Sequence, residues 1–224
     1  TGPEFQRADC APLSSQGNGA ISIADWVQAG RFAAGLDTVQ SAGGPSTPTA
    51  PLLTAGGASA FQLASTVPVP RRLVVSDARV QAGQTGEVLV ELETFGDENA
   101  IGFSLQFDAK VLTFVEVRGE GSDTLLIANT NFAASGRIGL AVARPAGIAF
   151  SPGRTPLARL TFATRDPATQ SSLAIGNSPL SLEAVSVEAL PLPIAGKSGT
   201  VTVSGSEKPR LTVERFDASE LVLR

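Results

Sequence analysis

The chain has no histidine, no methionine and no tyrosine, and only one cysteine and one tryptophan among its 224 residues. Without histidine it lacks the commonest general base, the commonest metal ligand and the histidine of any serine or cysteine triad. A hydrolase of those designs is therefore not expected. Cys10 is alone, so it cannot close a disulfide within the chain, and it is buried, free or paired outside it. Its simplest reading is a small buried hydrophobe. Charge is sparse too: 17 basic and 21 acidic residues leave a net −4, which offers no electrostatic footprint for nucleic acid. No apolar run reaches the roughly 18 to 20 residues of a membrane span. The first residues lack the charged-then-apolar order of a signal peptide, and a start at Thr1 reads as a processed or internal fragment.

Hydrophobic residues make up 42 % of the chain, enough for a sizeable core. Four zones follow from composition: an N-terminal piece over 1–37, a low-complexity stretch over 38–70, a strand-rich body over 71–204 and a tail over 205–224. In the first zone "SIADWVQAGRFAAGL" puts Ile23, Trp26, Val27, Gly30 and Ala34 on one helical stripe, with Ser22 as N-cap and Gly35 near the end. The second zone is rich in Gly, Pro, Ser, Thr and Ala and reads as a linker. Its "SAGGPSTPTAP" has a composition that also carries O-glycans in exported proteins. Leu52, Leu53, Phe61, Leu63, Val67 and Val69 are apolar enough that part of it is expected to lie on a folded surface.

From Arg71 onward, short runs of Val, Leu, Phe and Thr alternate with Gly, Pro, Asp, Asn and Ser. Strands are predicted over 72–80, 86–94, 100–108, 111–119, 124–132, 136–144, 155–164, 171–183 and 199–205. Nine short strands with turns between them predict a mainly β fold, an antiparallel β-sandwich or barrel behind a short loop–helix piece. The tail alternates Leu211, Val213, Leu221 and Leu223 around "ERFDASE" and reads as a hairpin of a further β element.

One stretch carries metal chemistry in its pattern. In "CAPLSSQGNGAISIADW", Asn18, Gly19, Ile21 and Asp25 fit an EF-hand type calcium loop, while Ser14 and Gln16 stand at early positions where acids are usual. The alternative is a tight turn at Gly17 to Gly19, with Asp25 a first-turn acid favoured by the helix dipole.

The order of the body resembles a known family. "AGQTGEVLVELETFGDENAIGFSLQFDAKVLTFVEV" runs turn, long strand, loop, Gly-Phe-Ser-Leu-x-Phe-Asp, then Lys-Val-Leu and another strand, and "SGRIGLAVARP", "PLARLTFAT" and "GKSGTVTVSG" follow. This resembles the cohesin modules of cellulosomes, over roughly Leu73 to Ser204, and implies a jelly-roll type sandwich that binds a protein partner. The opening segment, with Asp9, Ala11 and Pro12 before its Gly-Asn-Gly turn, resembles one half of a dockerin, the module that cohesins bind. On that alignment calcium would be held by Asp9, Asn18, the Ala20 carbonyl, Ser22 through a water, and Asp25. Dockerins often place hydroxyls just inside the helix, where this chain has Ile23 and Ala24. Trp26, Phe32 and Ile23 are expected to bury the helix against a second repeat or another molecule.

Catalysis has little to stand on. Asp97 and Glu98 are adjacent, unlike an acid–base pair set about 5 to 9.5 Å apart across a substrate, and Glu120 and Asp123 read as a polar hairpin tip or a cation loop. Three functional readings remain: a non-catalytic extracellular or cell-surface scaffolding module of a bacterium, a subunit of a self-assembling filament built by head-to-tail docking or strand donation, and, more weakly, a carbohydrate-binding module. The body has no Trp or Tyr to stack on sugars.

Overall fold

The computed structural model describes residues 2–49, 71–165 and 169–205, with the backbone of 214–216 and 220–222. Helices α1 (Gly2–Ala8) and α2 (Ile23–Ala33) come first. Strands β1 (Arg71–Val75), β2 (Ala78–Gln81), β3 (Thr85–Thr94), β4 (Glu98–Gln106), β5 (Leu112–Gly119), β6 (Leu125–Asn129), β7 (Arg137–Ala143), β8 (Gly153–Thr164), β9 (Thr169–Gly176), β10 (Glu183–Ser186), β11 (Pro191–Leu192), β12 (Ile194–Lys197) and β13 (Gly199–Ser204) build the body. They form two facing sheets, one ordered β12-β1-β3-β8-β5. The other runs β11-β10-β4-β9-β13-β2, with β7 joined to the free side of β4 and β6 joined to β7.

Alternation explains the layering. Along β3, Val88, Val90 and Leu92 point inward and are buried, while Glu87, Glu91 and Glu93 line the solvent side and pair with arginines. Inward residues of both sheets, among them Leu73, Phe103, Leu105, Leu140, Leu160, Phe162 and Leu173, form one core. Phe162 meets Phe107 edge to face at 5.1 Å between ring centres, a favoured aromatic geometry. A fully buried side chain of this size contributes on the order of 1.5–3 kcal/mol, so this core dominates stability.

Two predicted strands divide in the structure. The first breaks at Ser76 and Asp77, so that β1 lies in one sheet beside β3 and β2 in the other beside β13. The run over 171–183 ends early, and β10 starts after a loop. The short β11 and β12 were not foreseen: Pro191 and Pro193 mask them, because proline reads as a strand breaker. Pairing is antiparallel except for β1 with β12 and β2 with β13, which are parallel. In the tail, β14 (Glu214–Phe216) and β15 (Glu220–Val222) pair as an antiparallel hairpin. Leu211, Val213 and Leu223, like Leu52, Leu53, Phe61, Leu63, Val67 and Val69, lie outside the described residues.

Residues 38–49 run back over the N-terminal loop. Thr49 donates its N–H to the Gly19 carbonyl at 2.9 Å, and Gln6 Nε2 donates to the Gly44 carbonyl at 2.6 Å.

Candidate functional site

β4 and β7 share an unusual composition. Large inward residues (Ile101, Phe103, Leu105; Ile138, Leu140, Val142) alternate with small outward ones (Ala100, Gly102, Ser104; Gly139, Ala141, Ala143). The register sets small against small, with Ala100 opposite Ala143, Gly102 opposite Ala141 and Ser104 opposite Gly139. The outer face of this sheet is therefore a shallow trough. β6 walls it on one side with Leu125 and Ile127, and β10 on the other with Val185 and Glu183.

Helix α2 lies in the trough. Ile23, Ala24 and Val27 are buried there with Ala100, Ala143, Val185 and Ala189, and Trp26, Ala141 and Leu180 pack at the margin. The fit depends on Gly102: a Cβ built on it would stand 2.5 Å from Ile23 Cγ1 and 3.2 Å from Leu180 Cδ2. Covering by α2 explains why β4 is buried on both faces. Polar contacts hold the helix ends. Ile23 N–H donates to Glu183 Oε2 at 3.3 Å, and Arg31 donates to the Val187 carbonyl. Asp37 accepts from Arg31 Nε at 2.7 Å and from Gln28 Nε2 at 2.8 Å.

The loop before the helix is closed by two buried carboxylates. Asp9 accepts from Asn18 N at 2.9 Å and Gly19 N at 2.6 Å. Asp25 accepts from Cys10 N at 2.7 Å, Ala11 N at 2.8 Å and Ser22 N at 2.8 Å. Ser22 Oγ in turn accepts from Ala24 N, completing a capping box. Asn18 Oδ1 accepts from Ala20 N at 2.9 Å. Asp9, Asn18, Ala20, Ser22 and Asp25 thus lie in one loop, as aligned from the sequence, and the side-chain oxygens of Asp9, Asn18, Ser22 and Asp25 accept backbone N–H groups. Calcium requires six to eight oxygens, so an ion in this loop would share these oxygens with the N–H groups they accept. Among the described residues, no group of three or more acidic or cysteine side chains could hold a metal ion.

Cys10 is half buried, and burial, followed by the negative charges of Asp25 and Asp9, pushes its thiol up to about 11, which favours the protonated, slower-reacting form at neutral pH. Burial also raises the Glu183 carboxyl above its usual range, with Asp25 adding to the shift and the Ile23 N–H opposing it. At the other end, hydrogen bonds from Arg31 and Gln28 lower Asp37 to about 2.

The acids weighed for catalysis, Asp97 and Glu98, and those weighed as a cation loop, Glu120 and Asp123, have structural partners. Buried Glu98 accepts from Thr94 Oγ1 and from the N–H groups of Phe95 and Gly96, and Arg71 faces both Glu98 and Asp97. Glu120 accepts from Arg159 Nε at 2.8 Å, and Asp123 lies 3.8 Å from Arg144. The sequence reading missed the trough residues Ala100, Gly102, Gly139, Ala141 and Ala143, as well as Glu183. Their signal was present as a small residue at every second position of two neighbouring strands.

The trough is not filled to its edge. Leu125 and Ile127 on β6 remain 56 % and 52 % exposed. A groove of about 390 Å³ lies between Leu125 and α2, lined by Trp26, Val27, Gly30, Leu125, Ala143 and Arg144 among others.

With this geometry established, solved structures provide a frame. A cohesin from Clostridium acetobutylicum, CaCohA2, shares 21 % identity with a TM-score of 0.53, over 61 % of this chain and 92 % of that one. A type I cohesin–dockerin complex from Clostridium thermocellum aligns at 16 % identity and a TM-score of 0.53, covering 64 % of this chain and 99 % of that one. The body has a cohesin-like fold. A non-cellulosomal cohesin from the archaeon Archaeoglobus fulgidus is similar as well, at 16 % identity and a TM-score of 0.52, over 62 % of this chain and 94 % of that one. No protein-family model matches the sequence, and no curated protein matches it. Among the described residues, no helix is long and apolar enough to cross a membrane.

Proposed function

We propose that this chain is a non-catalytic protein–protein interaction module that works outside a bacterial cell or at its surface, with the outer face of the larger sheet as its docking surface. The observation that carries this reading is the trough itself: two adjacent strands give up bulky outward side chains, and an amphipathic helix sits in the space. A surface built this way suits another protein's backbone better than a small molecule. Several of the similar solved structures are complexes of a cohesin with a dockerin, which makes a dockerin-like helical module the first partner to try. A carbohydrate reading gains nothing, because Trp26 is committed to the margin of the α2 contact.

Titration calorimetry of the full chain against a panel of dockerin modules, with sedimentation of the chain alone, tests the proposal. Binding, or self-association, that Leu125→Arg and Ile127→Arg abolish is the expected result. If neither occurs at any accessible concentration, the reading fails.

A further inference from the structure

The trough's occupant in this structure is part of the same chain, and this identifies a partner. We infer that the loop–helix module exchanges between copies, so that the module of one chain seats in the trough of a second; the inference rests on the docking face proposed above.

The contact already exists in cis, so exchange requires no new surface. Ile23 would lie over the neighbour's Gly102, and Arg31 would reach the neighbour's Val187 carbonyl. Exchange of an identical element is a low-cost route to assembly, and a one-way exchange leaves a free module and a free trough at opposite ends. The tether permits it. Residues 50–70 number 21 between the module, with its returning segment, and the body, and a chain of that length spans about 70 Å at full extension.

The seat also includes features that favour release over permanent fusion. Gln28 is fully buried, yet its Oε1 has no hydrogen-bond partner, which leaves an uncompensated polar cost on the same helix. Glu183 and Asp25 place two acids at the helix start, and among the described residues no arginine or lysine is bonded to either. A tether of this size gives the cis contact an effective concentration on the order of millimolar. Exchange therefore competes at comparable chain concentrations, or where chains are crowded on a surface.

The test uses the full chain with Cys10→Ser to remove the natural thiol. A Cβ built on Gly30 lies 3.8 Å from Ala146 Cβ, the separation a disulfide spans. In one arm, Gly30→Cys and Ala146→Cys are combined in the same chain, and oxidation is expected to link them. In the other arm, a Gly30→Cys chain and an Ala146→Cys chain, differing in mass, are mixed, equilibrated at about 10 μM or about 1 mM, then oxidised and resolved by mass spectrometry. Heterodimer yield is expected to rise at least tenfold between the two concentrations and to exceed that of either homodimer. If the same-chain disulfide forms but the mixture gives no excess of heterodimer, the exchange is refuted and the docking face stands. If no disulfide forms in either arm, α2 does not occupy this face and both readings fall.

Discussion

Glu183 and Asp37 act on opposite ends of one helix and respond to pH with opposite signs. Glu183 titrates above its usual range in the folded chain, so between the unfolded and folded values the folded state binds more protons, and stability falls as pH rises through that window. Asp37, lowered to about 2, behaves conversely: its contribution is complete above the ordinary carboxylate range and is lost as pH falls toward 2. Glu183→Gln should therefore raise the melting temperature at neutral pH and lose that advantage in acid, whereas Asp37→Asn should lower it at neutral pH and converge with the parent near pH 2. Melting curves from pH 2 to 8 measure both. Parallel curves for parent and variants would disprove the assignment.

At the scale of elements, α2 is defined at both ends. Ser22 and Asp25 cap its start. At its end Gly35, at φ 70, lets the Leu36 N–H reach the Arg31 carbonyl at 3.0 Å and the Gly35 N–H reach the Phe32 carbonyl at 3.1 Å, a Schellman closure. Ser22→Ala should cost about 1 kcal/mol, read by denaturant unfolding, and should speed alkylation of Cys10, whose N–H is held by the same Asp25. Unchanged alkylation would mean that the loop does not depend on the cap.

This helix, its cap and its terminal glycine were legible because they are local patterns, as was the alternation that makes β3 a strand. The break at Ser76 was not, since nothing in Ser-Asp separates a continuing strand from one changing sheets. Asp25 carried two readings in the sequence, because the last acid of a calcium loop and the third residue of a capping box occupy the same place, and the structure shows the cap. The small outward residues of β4 and β7 carried no meaning until a helix was found above them; which element covers a face is decided by tertiary contact.

For the whole molecule, the N-terminal loop is shaped by backbone N–H groups that two carboxylates accept. Millimolar calcium is expected to leave both Trp26 fluorescence and the melting temperature unchanged. A saturable change in either would mean that Asp9 and Asp25 exchange their N–H partners for the ion. The outer face, with its trough occupied in cis and its β6 margin bare, joins the body to the module as one folded unit.

The two parallel pairings have a mechanical consequence. The chain enters the sandwich at Arg71 and leaves it at Ser204, and the strands at those ends run alongside their neighbours in the same direction, β1 with β12 and β2 with β13. Tension between entry and exit pulls these paired strands past each other along their length. Their rows of hydrogen bonds then share the force together instead of opening one at a time like a zipper.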